Sequence, residues 1–197
     1  MAQHPSFPET LTSRLRLAPY TPDDAKHMFT LWNDDGVRRF IPGHRPASPE
    51  SFAEKYANRE RQCRELDAPH VMVMVFEREG GAFVGRVALV PVAWEGPEVE
   101  IAYAILPAFW GKGYTVEASE PLLDFGFAPR ATGRGLELDR IIALANPENS
   151  ASIRVMEKLR FRDLGTTDRW YDEELAYREM RGIDWLARHD GPHGVTA

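Results

Sequence analysis

The stretch from 99 to 118, Val-Glu-Ile-Ala-Tyr-Ala-Ile-Leu-Pro-Ala-Phe-Trp-Gly-Lys-Gly-Tyr-Thr-Val-Glu-Ala, constrains this chain more than any other. It reads as a buried strand, a tight turn on Gly111-Lys112-Gly113 and the first turns of a helix. Glycines in such a turn let a ligand approach the backbone closely, because no Cβ stands in the way. A helix that begins there aims unpaired N–H groups and its positive dipole end at the turn, so the natural guest is a phosphate. An acid, Glu100, lies on the strand that feeds the turn. Phosphate cradle and acid together point to transfer chemistry from a phosphorylated carrier. Gly-Lys-Gly also suits a plain structural turn, and it is neither a P-loop nor a dinucleotide-binding fingerprint.

With 197 residues the chain makes one domain, over 8–185, that can bury a core without staples, followed by a tail over 186–197 with no periodicity. Its 24 basic and 30 acidic residues give a formal charge of −6, which argues against nucleic acid as a partner. The single cysteine, Cys63, excludes an internal disulfide and fits a reducing compartment; its place in a charged stretch predicts a surface or half-buried thiol. No apolar run approaches the ~18 residues of a membrane span. These features predict a soluble, cytoplasmic protein without a membrane partner. The six histidines lack ligand spacing, which predicts no metal.

Along the chain, strands are expected over 14–20, 70–77, 82–92, 99–106 and 139–145, with a closing hairpin over 161–167 and 175–183. Helices are expected over 21–32, 48–66, 113–127 and 149–159. Thr21-Pro22 and Ser48-Pro49 mark two of the helix starts. The loop over 36–47 is rich in Pro and Gly. Strand alternation places Glu100, Ala102, Ala104 and Leu106 on one face, and Val99, Ile101, Tyr103 and Ile105 on the other. An acid in an otherwise apolar strand is costly unless it is paired or has a raised pKa. A raised pKa suits a general base; a structural salt bridge or an exposed edge is the alternative.

Asn149-x-x-Ser152 and Glu157-Lys158-Leu159-x-Phe161 follow downstream at the start and end of another helix. With them the chain resembles the GCN5-related N-acetyltransferases (GNAT), and within them the RimJ/RimL-like ribosomal-protein acetylases. The resemblance runs from Leu15 to about Ile183; it starts with Glu9-Thr10-Leu11-Thr12-Ser13-Arg14-Leu15-Arg16-Leu17, like the branch's opening strand, and includes Thr21-Pro22-Asp23-Asp24-Ala25 and Phe83-Val84-Gly85-Arg86-Val87. It implies an α/β (α+β) fold: a mixed, mostly antiparallel sheet of about seven strands, splayed at the cofactor site, with about four helices. It implies acetyl-CoA as cosubstrate, an amine acceptor attacked directly, and, from family habit, a possible homodimer.

The resemblance also assigns roles. Glu100 would deprotonate the amine. Ile105 and Leu106 would pair with the pantetheine arm, a backbone N–H near Ile105 polarising the thioester oxygen. Gly111, Gly113, Tyr114 and Thr115 would offer N–H groups to the pyrophosphate. Trp110 stands where the wider family has Gln or Arg, and suits core packing as well as cofactor contact. Lys112 suits a phosphate or solvent. Asn149 reads as an N-cap on propensity, or as a pantetheine ligand by resemblance. Ser152 is the candidate acid for the leaving thiolate.

Three positions depart from the family pattern. Met156 replaces a Tyr acid, Arg160 replaces a helix-ending Gly and would sit in the left-handed region, and Thr115 replaces a small residue. For the acceptor, Phe40, His44, Trp94, Trp170 and Tyr171 are the candidates. They lie on the loop, the 94–95 connection and the turn over 168–174, segments whose aromatics and acids suit a cationic amine or a protein N-terminus or, equally, ordinary solvated turns. A catalytically silent CoA-binding module and a purely structural domain are the rival readings.

Overall fold

The computed structural model describes residues 5–41, 43–94 and 97–188. Eight strands are built in chain order: β1 (Thr10–Leu11), β2 (Leu15–Pro19), β3 (Val71–Glu77), β4 (Phe83–Pro91), β5 (Val99–Ile105), β6 (Arg140–Ala145), β7 (Arg162–Thr167) and β8 (Leu175–Arg181). The helices are α1 (Ala25–Asn33), α2 (Asp35–Arg38), α3 (Pro49–Glu65), α4 (Tyr114–Phe127), α5 (Ser150–Lys158) and α6 (Gly182–Leu186). One open sheet runs β1-β2-β3-β4-β5-β6-β8-β7. Among the described residues its only parallel neighbours are β5 and β6, and they meet at a single register pair, Glu100 with Ile142. Beyond that pair the strands diverge, and the gap they leave is the splay the resemblance implies.

Two cores flank the sheet. Val99, Ile101 and Ile105 pack with Leu122 and Leu123 of α4 and Met156 of α5. Ala104, Ala88, Met72 and Met74 pack with Met28 and Leu31 of α1 and Val37 of α2. The period-two reading of β5 is thus correct, and Glu100 projects on the α1 side. The polar helix α3 starts at Ser48, whose hydroxyl accepts from Ser51 N–H at 3.2 Å, and buries only Cys63. That thiol is 3% exposed, deeper than the sequence suggests.

Differences from expectation have local causes. The strand expected over 14–20 is β2, and β1 is a further short strand before it, set off where the Thr12 hydroxyl turns back to accept from Leu15 N–H at 2.9 Å. The loop after α1 contains α2, capped by Asp34, which accepts from Val37 N–H at 3.0 Å. The last strand stops at Arg181, and α6 takes residues 182 and 183. The tail expected over 186–197 lies outside the described residues from 189 onward. Among the described residues no helix is long and apolar enough to cross a membrane.

Arg160 adopts φ +61°, the left-handed conformation expected of it. It lets Phe161 N–H reach Met156 O at 2.9 Å and close the end of α5. Glycine relieves the strain but gains unfolded-state entropy. Arg160→Gly therefore raises stability by about 0.5–1 kcal/mol. An unchanged or lower midpoint in thermal unfolding would contradict this.

Candidate active site

The Gly-Lys-Gly turn forms as its composition dictates. Gly111 and Gly113 take φ of +75° and +79°, and Gly113 is the residue from which α4 starts. With no side chain capping this end, its first N–H groups point into the turn. The opening segment wraps the same helix start. Glu117 accepts from Thr12 Oγ1 at 2.6 Å, Ser13 Oγ at 3.0 Å and Arg14 N–H at 2.9 Å, and its second oxygen accepts from Arg14 Nε at 2.7 Å. Arg14 also donates to Lys112 O at 2.9 Å, tying the turn to β2. Lys112 lies 3.9 Å from Glu77 and 4.9 Å from the Phe109 ring centroid.

Burial alone would push the Glu117 carboxyl up, but hydrogen bonds from Thr12, Arg14 and Ser13 outweigh it and hold it below the usual range. A depressed folded-state pKa stabilises above the ordinary carboxylate value and is lost as pH falls through the folded one. Glu117→Gln therefore lowers stability at neutral pH by about 2 kcal/mol, allowing for the half-exposed Arg14, and flattens the acid side of the stability curve. Thermal unfolding across acid and neutral pH checks both parts.

The β5 backbone faces two ways. Val92 N–H to Glu98 O and Leu106 N–H to Val84 O, each 2.9 Å, bracket the β4–β5 ladder. Backbone direction alternates in an antiparallel pair, so the even-numbered residues face β4 and Tyr103 and Ile105 face the gap beside β6. The N–H of Ile105 is thereby offered to the splay, while that of Leu106 is engaged. The Ile105 carbonyl accepts from Trp110 Nε1 at 2.6 Å. Trp110 is otherwise 55% exposed, so it braces the strand end rather than filling the core.

Across the gap, Asn149 caps α5, its Oδ1 accepting from Ser152 N–H at 3.1 Å. The propensity reading is thus realised, and the amide nitrogen and one lone pair of Oδ1 are left for another partner. Ser152 is half-buried. Its carbonyl accepts from the Tyr103 hydroxyl at 3.2 Å, a second hydroxyl that strand alternation places only on the face opposite Glu100. Met156 is 2% exposed and packs in the core.

Glu100 is half-buried at the mouth of the gap. Burial raises its pKa from 4.5 to about 7, against the opposing pull of the Tyr171 hydroxyl and of Arg86. Tyr171 donates to Glu100 Oε1 at 3.0 Å and accepts from Ala93 N–H at 2.8 Å. Tyr171 and Asp172 both take positive φ, +65° and +53°, so a strained turn carries this hydroxyl to the acid.

Of the acceptor candidates, Tyr171 alone is shown bonded to Glu100. Phe40 lies beneath Arg39 at 5.0 Å, His44 is exposed, and Trp170 packs edge-on to Tyr177 at 5.6 Å. Trp94 ends the turn Val92–Trp94, and its side chain lies outside the described residues. The sequence reading missed Arg86, Trp32, Tyr56 and His70, which share the Glu100 side of the sheet. The signal was a lone charge in the apolar run Val84-Gly85-Arg86-Val87-Ala88-Leu89. Two surface hollows of about 360 and 370 Å³, one against Leu66–Pro69 and one on α3, contain none of the predicted site residues. Among the described residues no cluster of three or more His, Cys, Asp or Glu is arranged to hold a metal ion.

A family model described as "Acetyltransferase (GNAT) domain" matches residues 14–162. The Bacillus subtilis (strain 168) protein YkkB is 31% identical over 88% of this chain and 96% of its own length. The N-acetyltransferase YnaD of the same organism is 26% identical over 82% of this chain and 91% of its own. Among solved structures, RimL, a ribosomal L7/L12 alpha-N-protein acetyltransferase in complex with coenzyme A, superposes with a TM-score of 0.69. It is 14% identical over 87% of this chain and 96% of its own, a likeness of fold.

Proposed function

The chain belongs to the GNAT acetyltransferase family, and from that premise we propose that it moves an acetyl group from acetyl-CoA to a primary amine by direct attack in a ternary complex. The observation that carries this reading is Glu100: an acid of near-neutral pKa on the strand that leads into the glycine turn, where β5 and β6 part. As the amine nitrogen bonds to the acetyl carbon, the carbon–sulfur bond breaks and Glu100 accepts the amine proton. The thiolate leaves and takes a proton to become CoA. Ser152 is the proposed donor, with the Tyr103 hydroxyl beside it as a second.

Gly111, Gly113, Tyr114 and Thr115 would hold the pyrophosphate through N–H groups, with Lys112 alongside. Ile105 and Asn149 would hold the pantetheine; Leu106, whose N–H goes to Val84 O and whose carbonyl accepts from Phe109 N–H, would touch it through its side chain only, and Trp110 would fix the strand end. The fit rests on two left-handed glycines at an uncapped helix start and on the Ile105 N–H facing the gap. The bound CoA of RimL supports the same cosubstrate here. Phe40, His44, Trp94, Trp170 and Tyr171 remain the proposed acceptor contacts, with a protein N-terminus or a small amine as acceptor. The RimJ/RimL-like branch is part of this reading, as is a cytoplasmic site of action, which the buried free thiol of Cys63 favours.

The test is thermal unfolding with and without acetyl-CoA, then release of free CoA across an amine panel. Acetyl-CoA at 100 times its Kd stabilises the fold by about 2.7 kcal/mol. Absence of a shift in protein shown free of bound CoA would end this reading. Met156 in place of a Tyr acid favours a second reading, a CoA-binding module without turnover, which predicts the shift but no CoA release. A homodimer is also proposed, and light scattering that finds a monomer at micromolar concentration removes it.

A further inference from the structure

The sheet face that carries Glu100 holds a second charge, Arg86, and among the described residues no carboxylate forms an ion pair with it. Arg86 is the single charged residue in the middle of β4, and solvent reaches it only in part. Its Nη1 donates to Ala102 O at 3.3 Å, and its guanidinium lies 5.3 Å from the Trp32 ring centroid. Its Nε is buried with no hydrogen-bond partner, and among the described residues no carboxylate forms an ion pair with it. Burial lowers its pKa only to about 10, so it stays a cation at neutral pH. Charge held this way costs stability unless something pairs with it.

Partly buried aromatic side chains, Tyr20, Trp32 and Tyr56, pack on this face of the sheet. Tyr20 and Tyr56 stand 4.3 Å apart, and Tyr56 lies 4.9 Å from His70. The Tyr20 hydroxyl is a second buried donor without a partner. His70 is pushed down to about 4 by burial, by Arg86 and by Arg59, so it stays neutral and adds no competing cation. Glu100 is the acid whose charge Arg86 feels, yet the Glu100 hydrogen bond goes to Tyr171. The Arg86 head group is anchored at Ala102, two residues from Glu100, which is about 7 Å along a strand. One small molecule spans that distance.

We propose that the acceptor carries a carboxylate a few bonds from its amine, Arg86 binding the carboxylate while the amine sits at Glu100. This rests on the acetyltransferase reading and narrows it to zwitterionic amines. The sequence leads to a cationic amine or a protein N-terminus met by aromatics and acids, or to ordinary solvated turns; Arg86 adds a basic group for a carboxylate. The same chemistry is offered by a free amino acid and by a peptide that begins with Asp. Arg86 fixes the acceptor and takes no part in the proton transfer.

The experiment measures CoA release with free amino acids, their decarboxylated amines, their amides, and peptide amides beginning with Asp or Ala. Wild-type protein, Arg86→Lys and Arg86→Gln are compared, and calorimetry follows N-acetyl amino acids and N-acetyl amides titrated into each. The expected result is a preference for the carboxylate-bearing acceptor of about 30-fold or more in kcat/KM. Arg86→Gln abolishes it and Arg86→Lys keeps part. Preference for free amino acids over the Asp peptide assigns the first source, and the reverse assigns the second. A decarboxylated amine that equals its parent acid, or a preference that survives Arg86→Gln, overturns the proposal. Should no acceptor release CoA and acetyl-CoA fail to bind, the acetyltransferase reading is what fails. Calorimetry then decides the anion site: N-acetyl amino acid binding lost in Arg86→Gln upholds it, and no binding to wild type overturns it.

Discussion

Replacing Glu100 by Gln lowers kcat by about two to four orders of magnitude, the range of a positioned general base, while making the protein more stable at neutral pH. Both effects come from one carboxyl. Its pKa is raised from 4.5 to about 7, so the folded state prefers the protonated form. The stability this gives is fully present below 4.5 and is lost as pH rises through about 7. Above that pH the ionised acid costs the fold on the order of 1–2 kcal/mol after allowance for the solvent that reaches it, and Gln removes the cost. Catalysis has the opposite sign, since a base must be ionised. Wild-type kcat/KM falls as pH drops through about 7, and the variant lacks that limb. A variant that is slow because it is misfolded would show a lowered melting temperature. Wild-type rates from Glu100→Gln, or an unaltered acid limb, would remove Glu100 from the mechanism.

Gly113→Glu abolishes the acetyl-CoA-induced rise in melting temperature, worth about 2.7 kcal/mol at 100 times Kd. The new Cβ meets nothing closer than Arg14 Nη2 at 3.7 Å, so sterics do not forbid it. Two other effects act. At φ +79° any L side chain is strained by about 1–2 kcal/mol. The added carboxylate also puts negative charge where the α4 N–H groups would meet a pyrophosphate. Gly113→Ala separates the two, because it carries the strain without the charge: it lowers stability but keeps a ligand-induced shift. Retention of the full shift by Gly113→Glu would move the cofactor away from this turn.

The legible part of the site is local in sequence. Period-two alternation fixed which way Glu100 points, and the clusters on either face of β5 agree. Glycine spacing located the left-handed turn before α4, and the Arg at the end of α5 predicted its own positive φ. Such features depend on backbone sterics and on neighbours within a few residues. For the same reason the strand ends were less legible: α6 begins at Gly182 because Trp185 packs in the core and donates to Asp124 at 2.7 Å, a contact across 61 positions.

What the sequence alone determined about this protein is the order of its longer strands and helices, the glycine turn and the acid beside it. Only the tertiary structure decided the state of that acid. Burial of Glu100, the Tyr171 hydroxyl brought to it across 71 positions by a strained turn, and the distant charge of Arg86 together set its proton affinity. The fold likewise decided that the Asn149 side chain caps α5 and that, among the described residues, Arg86 forms no ion pair with a carboxylate. A pKa or an unpaired charge depends on what surrounds a group in space, and chain order does not encode that directly.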